Sequence, residues 1–238
     1  MRRIYLFLTF VIGIIPVTAL EGSVTGKPWT GNITLNNPDT IDNQILYNGR
    51  LWRNLYSRVK GDPFLFTEEF LTGTVTIGNK TFNNVSIKYD VFKDELIALS
   101  ERGFLLQLNK EVIDAFSFNW HERLYQFRKL NSDSLKNPNG FVNVLADGDV
   151  SLLVKYKKDI LYLAIDNRYD LFNQTHRIYI VKDGETYLVN SKKELLGLLN
   201  SRKQEIKSFV SDNKLKLSRN NPDSFMAVVG YYNELQKK

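Results

Sequence analysis

The sequence predicts a mainly β (α+β) protein: an antiparallel β-meander, curved or barrel-like, followed by two or three C-terminal amphipathic helices. Three observations carry that expectation. Apolar residues alternate with period two over short segments from Ile45 to about Val189. Dipeptides that reverse a chain fall between those segments. From Ser191 onward the apolar spacing becomes that of a helix.

Taken in order, residues 20–44 read as an irregular leader, because Gly22, Gly26, Pro28, Gly31, Asn36, Asn37 and Pro38 leave little room for a regular element. The clearest strand is 85–91, where Val85, Ile87, Tyr89 and Val91 face one way and Ser86, Lys88 and Asp90 the other. Further strands are predicted at 74–77, 95–99, 104–108, 112–118, 123–128, 141–145, 150–156, 160–165, 177–182 and 186–189. Gly78-Asn79, Asp147-Gly148 and Asp183-Gly184 supply hairpin turns, since these residue types tolerate positive φ. Nothing in 45–189 has the length and period of the crossover helices that a parallel sheet needs. The polar segment 131–140 is the longest break. Ser191-Lys192-Lys193-Glu194 is a capping box, Ser201-Arg202-Lys203-Gln204 repeats it, and Asn221-Pro222 opens a third helix with Phe225, Val228, Val229, Tyr232 and Leu235 on its apolar face. The expected organisation is therefore 1–19, 20–44, a β domain over 45–190, and a helical segment over 191–238 packed on the sheet.

The N-terminus has the layout of a secretory signal. Arg2 and Arg3 precede a mostly apolar run from Leu6 to Val17, and Val17 and Ala19 present small side chains where a signal peptidase reads. The run is short for a bilayer, which needs about 20 residues. The chain is expected to be exported and to work in the periplasm or outside the cell after cleavage near Ala19. No other stretch is apolar enough to span a membrane. With no cysteine there is no disulfide, no thiol catalysis and no lipid-bearing cysteine. The net charge is +6, or +4 without Arg2 and Arg3, and the lysines read as spread into a solvated basic surface. An exported location makes nucleic acid an unsuitable partner.

The stretch Gly73 to Asp90, running on through Lys93-Asp94-Glu95-Leu96-Ile97, resembles a pattern of uncharacterised exported proteins of Bacteroidota. The tail from Val189-Asn190-Ser191 to Tyr231-Tyr232 is similar to their C-terminal ends. That resemblance implies an envelope location and no activity. Asp39-Thr40-Ile41 and Asp133-Ser134-Leu135 resemble the Asp-Ser/Thr-aliphatic sites where such bacteria attach O-glycans, making Thr40 and Ser134 candidate attachment points. Asn32, Asn79, Asn84 and Asn173 begin Asn-x-Ser/Thr triplets, which matter only in a eukaryotic secretory pathway.

Chemistry-bearing patterns are sparse. His121 and His176 are far apart, without the His-x-His or His-Glu-x-x-His spacing of a metal site, and Asp166 to Asp170 only faintly suggests a carboxylate loop. Ser100 and Ser117 lack a Gly-x-Ser-x-Gly elbow. In Glu68-Glu69 and Asp94-Glu95 adjacent acids point to opposite faces, and the second doublet reads as a solvated turn. Trp29, Trp52, Trp120, Tyr47, Tyr56 and Phe64 suit a sheet core or a stacking surface. No catalytic, metal or cofactor residue is assigned, and no cofactor is expected. The expected function is a non-catalytic envelope protein that binds another envelope protein or a glycan. A second reading is a carrier whose apolar small molecule is lined by Ile87, Tyr89, Phe104 and Leu106. A third is an envelope hydrolase of unfamiliar type.

Overall fold

A computed structural model describes residues 44–132, 134 and 137–237, all within the unit Asn36–Lys238. The expected signal, most of the leader, Trp29, Asn32 and Thr40 lie outside the described residues. Eleven strands form one antiparallel sheet: β1 (Arg50–Leu51), β2 (Leu71–Ile77), β3 (Lys80–Asp90), β4 (Glu95–Leu99), β5 (Leu105–Gln107), β6 (Ile113–Trp120), β7 (Arg123–Leu130), β8 (Gly140–Ala146), β9 (Val150–Ile165), β10 (Tyr169–Lys182) and β11 (Glu185–Val189). Three helices follow, α1 (Lys192–Leu198), α2 (Lys203–Asp212) and α3 (Met226–Gln236).

The strand order, β1-β5-β4-β3-β2-β6-β7-β8-β9-β10-β11, refines the expected meander into two arms. Consecutive hairpins run outward from β2 in one direction and from β6 in the other, and β2 pairs with β6. Val75 sits opposite Phe82 on one side and Phe116 on the other, so this strand is paired at both edges and its buried position packs between two rings. The sheet is curved and does not close, because β1 and β11 terminate it. The segment between β1 and β2 spans part of the gap. Phe64 pairs with Asp90, and Lys60 pairs with Leu171 of β10.

Turn chemistry explains most of the hairpins. Asp183 and Gly184 take φ of 52° and 79°, the left-handed pair of a two-residue turn, with Lys182 opposite Glu185. His121 and Glu122 do the same between β6 and β7, with φ of 47° and 62°. Neither is a usual turn residue for that geometry, although His is enriched among non-glycine residues at positive φ. One extended hairpin differs from expectation. Strands predicted at 150–156 and 160–165 are a single 16-residue strand, and β10 begins at Tyr169 rather than 177. Lys157, Lys158 and Asp159 pair with Thr175, Gln174 and Asn173 in a largely solvated ribbon. A ribbon with little burial has no apolar alternation to reveal it.

Two large apolar cores, with a smaller cluster of Val142, Leu153 and Tyr179, organise the described residues. On one face of the sheet Phe116 and Phe127 stack at 4.6 Å, Tyr89 and Phe141 meet Phe116 edge-on, and Ile87, Leu96, Ile113 and Val154 surround them. Farther along β9 and β10, Val150, Leu152, Ile178 and Ile180 pack against Leu195, Leu199, Ile206, Val210, Phe225, Val228, Val229 and Tyr232. Each fully buried side chain of this kind contributes about 1.5–3 kcal/mol.

Ser191 caps α1 by accepting from Glu194 N–H at 3.2 Å, while Glu194 accepts from Asn190 N–H at 2.8 Å. Ser201 does not cap. A short 3-10 turn precedes α2, and the Ser201 hydroxyl meets Tyr232 Oη at 2.8 Å instead. Asn233 fixes α3 to the sheet, accepting from Val150 N–H at 2.9 Å and donating to Val150 C=O at 2.8 Å. Arg123 adds a two-pronged ion pair to Asp223. Among the described residues no helix is long and apolar enough to cross a membrane.

Candidate functional site

The densest charged cluster centres on Asp94, at the turn between β3 and β4. Its carboxylate accepts from Tyr89 Oη at 2.5 Å, Lys110 Nζ at 2.5 Å and Lys155 Nζ at 2.8 Å. Lys155 Nζ also donates to Phe141 C=O at 2.9 Å. Gly140 makes the approach possible: its φ is 81°, and a Cβ there would collide with Asp94 Oδ2. The turn thus docks where β8 and β9 diverge. Asp94 is not the solvated member of a doublet, because its side chain is 19% exposed. Adjacent acids on a turn look solvated until distant lysines arrive to neutralise them. Burial pushes the Lys155 ammonium below its ordinary value, opposed by Asp94, and burial with the Asp94 charge holds the Tyr89 hydroxyl well above its own.

On the opposite face Asp90 stands across from Glu95. Asp90 Oδ1 accepts from the N–H groups of Phe92 and Lys93 at 3.0 and 2.9 Å, which shapes the turn that carries Asp94. Asp90 Oδ2 and Glu95 Oε2 are buried without a hydrogen-bond donor. Burial, reinforced by the Glu95 charge, pushes Asp90 up to about 6.

Beside the Asp94 turn lies a cleft of about 440 Å³, walled by residues 91–94, the 137–139 loop and the bases of β9 and β10. Lys93, Lys155, Lys157 and Arg177 line it with Asp94, Asp159 and His176; Phe92 is half-buried there, whereas Tyr156 and Tyr179 are buried in the core beneath. Lys155 is held by Asp94 and Lys157 by Asp159 at 2.6 Å. Lys93 and Arg177 have no carboxylate within 4 Å among the described residues, so the cleft carries an uncompensated positive charge. A larger hollow of about 830 Å³ lies along residues 80–86 and 99–101, but its charged lining is one lysine and one glutamate.

Of the other residues singled out by sequence, His176 lines this cleft with Asp94 and Asp159, and the rest do not assemble. His121 stacks on Trp120 at 4.2 Å in its exposed turn, and His176 meets Arg219 C=O at 2.7 Å. Among the described residues no three His, Asp or Glu side chains are grouped to hold a metal. Asp166 and Asn167 form the turn of the long hairpin at φ of 51° and 52°. Glu68 and Glu69 are exposed, as is Ser134, while Ser117 bonds Thr74. Of the four residues proposed to line an apolar cavity, Ile87 and Tyr89 are buried among rings. Leu106 packs at the edge of that core, and Phe104 is 53% exposed at a turn. Phe64 lies 5.7 Å from Trp52 with the rings tilted at 48°, and Tyr56 meets Phe92 and Phe172 edge-on. Tyr47 packs against the sheet core.

The positive charge is unevenly placed along the chain. Residues 191–238 contain ten Lys and Arg against five Asp and Glu, giving +5 of the chain's +6. Counting by segment finds this asymmetry, whereas scanning for basic runs does not. Comparison of the chain with protein-family models, curated proteins and solved structures finds no match.

Proposed function

We propose that this chain is an exported, non-catalytic binding protein of the bacterial envelope. It takes an acidic saccharide in the cleft between the 91–94 turn and the base of the β9–β10 ribbon. The observation that carries this reading is the convergence of Lys93 and Arg177, without carboxylate partners, beside the half-buried ring of Phe92. Sugar rings stack on aromatic faces, and a sugar carboxylate suits the planar donor fork of arginine. The stacked rings filling the sheet core favour recognition at the surface over an apolar guest inside. Lys155 donates to Asp94 and to a carbonyl, which favours a structural ammonium over a nucleophile.

The test is calorimetric titration with an oligogalacturonate and with its reduced, uncharged counterpart. The acidic sugar is expected to bind. Lys93→Glu with Arg177→Glu should weaken it at least about tenfold while leaving the melting temperature unchanged. Equal binding of both sugars, or indifference to the double reversal, contradicts the reading. Export is tested separately by N-terminal sequencing of chain recovered outside the cytoplasm. A start at Leu20 supports it, and a retained Met1 on cytoplasmic chain refutes it.

A further inference from the structure

The lysines of this protein fall into two populations. Each of the ten described lysines between residues 44 and 190 has a partner. Lys110, Lys155, Lys157, Lys158 and Lys182 lie by carboxylates. Lys129 donates to backbone carbonyls. Lys60, Lys80, Lys88 and Lys93 lie over aromatic rings. In the helical layer, Lys192, Lys193, Lys203, Lys207, Lys214, Lys216 and Lys237 have no carboxylate, carbonyl or ring partner among the described residues. All seven are exposed.

Three of the seven converge. Lys192 at the start of α1, Lys207 in α2 and Lys214 just after it rim a groove of about 260 Å³, floored by Leu196, Val210 and Leu215. No acid lines it. Lys214 also occupies an unfavourable backbone position for a lysine. It closes α2 at φ of 50°, with Leu215 N–H reaching back to Val210 C=O at 3.0 Å, a place where glycine is preferred. Isolated surface lysines are screened within about 8 Å at physiological salt, but several gathered in one groove act together on an anion.

We infer that the α1–α2 groove docks the protein on an anionic phospholipid bilayer. The lysine rim takes lipid phosphates, and the half-buried Leu196 and Leu215, over the buried Val210, meet the boundary between headgroups and acyl chains. Charge complementarity selects the anionic surface. The apolar floor selects lipid over a soluble polyanion, which has nothing to place there. This goes beyond the cleft, which engages a different ligand through different residues.

The test is co-sedimentation of the intact chain with vesicles of phosphatidylcholine containing about 30% phosphatidylglycerol, and with phosphatidylcholine alone. Residues 1–19 are common to every variant, so differences between variants read the groove. Wild type is expected to bind the anionic vesicles, less so as salt rises, and to bind neutral vesicles much more weakly. Lys192→Gln/Lys207→Gln/Lys214→Gln should lose about a hundredfold in affinity, at about fivefold per lysine. Lys214→Gly separates binding from folding: it should weaken binding about fivefold while the melting temperature holds or rises. Equal binding to both vesicle types overturns the inference, as does a triple variant that binds like wild type. Binding to a heparin fragment without binding to anionic vesicles overturns it too.

Discussion

The sheet and the helical layer dispose of charge in opposite ways. In the sheet, lysines are consumed internally: Asp94 alone takes Lys110 and Lys155, and Asp62 takes Lys158 at 3.1 Å. Among the described residues of the helical layer two ion pairs, Arg202 with Glu205 at 3.5 Å and Asp223 with Arg123 of the sheet, accompany seven lysines without partners. Both regions bury an apolar core of similar character, so packing does not separate them. What differs is the use of surface. Apart from Lys93 and Arg177 in the cleft, the sheet spends its charges on holding strands and turns in register, whereas the helices leave most of theirs available to an outside anion.

That contrast breaks in an ordered way. Phe116→Ala should be the most damaging single change. Phe116 touches Tyr89, Phe118, Phe127 and Phe141, and its loss should cost about 3–5 kcal/mol in urea unfolding. Asp94→Ala should cost about 2–4 kcal/mol by stranding two partly buried lysines, whereas Glu205→Ala should change stability by less than about 0.5 kcal/mol. Similar costs for the two acids would erase the distinction.

Asp90 supplies the pH signature of the sheet. Its folded pKa lies above the ordinary carboxyl value, so the protonated form is the one favoured by folding. The stabilisation is fully present below about pH 4 and is lost as pH rises through about 6. Asp90→Asn keeps the acceptor for Phe92 and Lys93 N–H and carries no charge. It should flatten the stability profile between pH 4 and 6 and raise stability at pH 7.5 by about 2 kcal/mol. A variant with an unaltered profile would show that Asp90 ionises freely. A comparably small effect is expected elsewhere in the helical layer, where Lys214→Gly should stabilise by about 0.5 kcal/mol, measured by thermal melting.

The same contrast governs what could be read in advance. Alternation in 85–91 and the Asp183-Gly184 pair are local signals, and local backbone physics honours them. The capping role of Ser191 is equally local. The full length of β9 and β10 was hidden because a ribbon exposed to water needs no apolar face. The His121-Glu122 turn was hidden because Glu122 does not advertise positive φ and His121 does so only weakly. The Asp94 cluster joins residues 16, 47 and 61 positions away, and such pairing leaves no trace in composition. The lysines of the helical layer were visible by counting, yet their significance depends on the absence of partners, which only the fold decides.

Hydrogen exchange of the intact chain, with and without phosphatidylglycerol-containing vesicles, tests the division most directly. Vesicle-dependent protection should appear in residues 192–216 and leave 71–130 unchanged. Protection spread over the sheet, or no change in the helices while the chain is vesicle-bound, would contradict it.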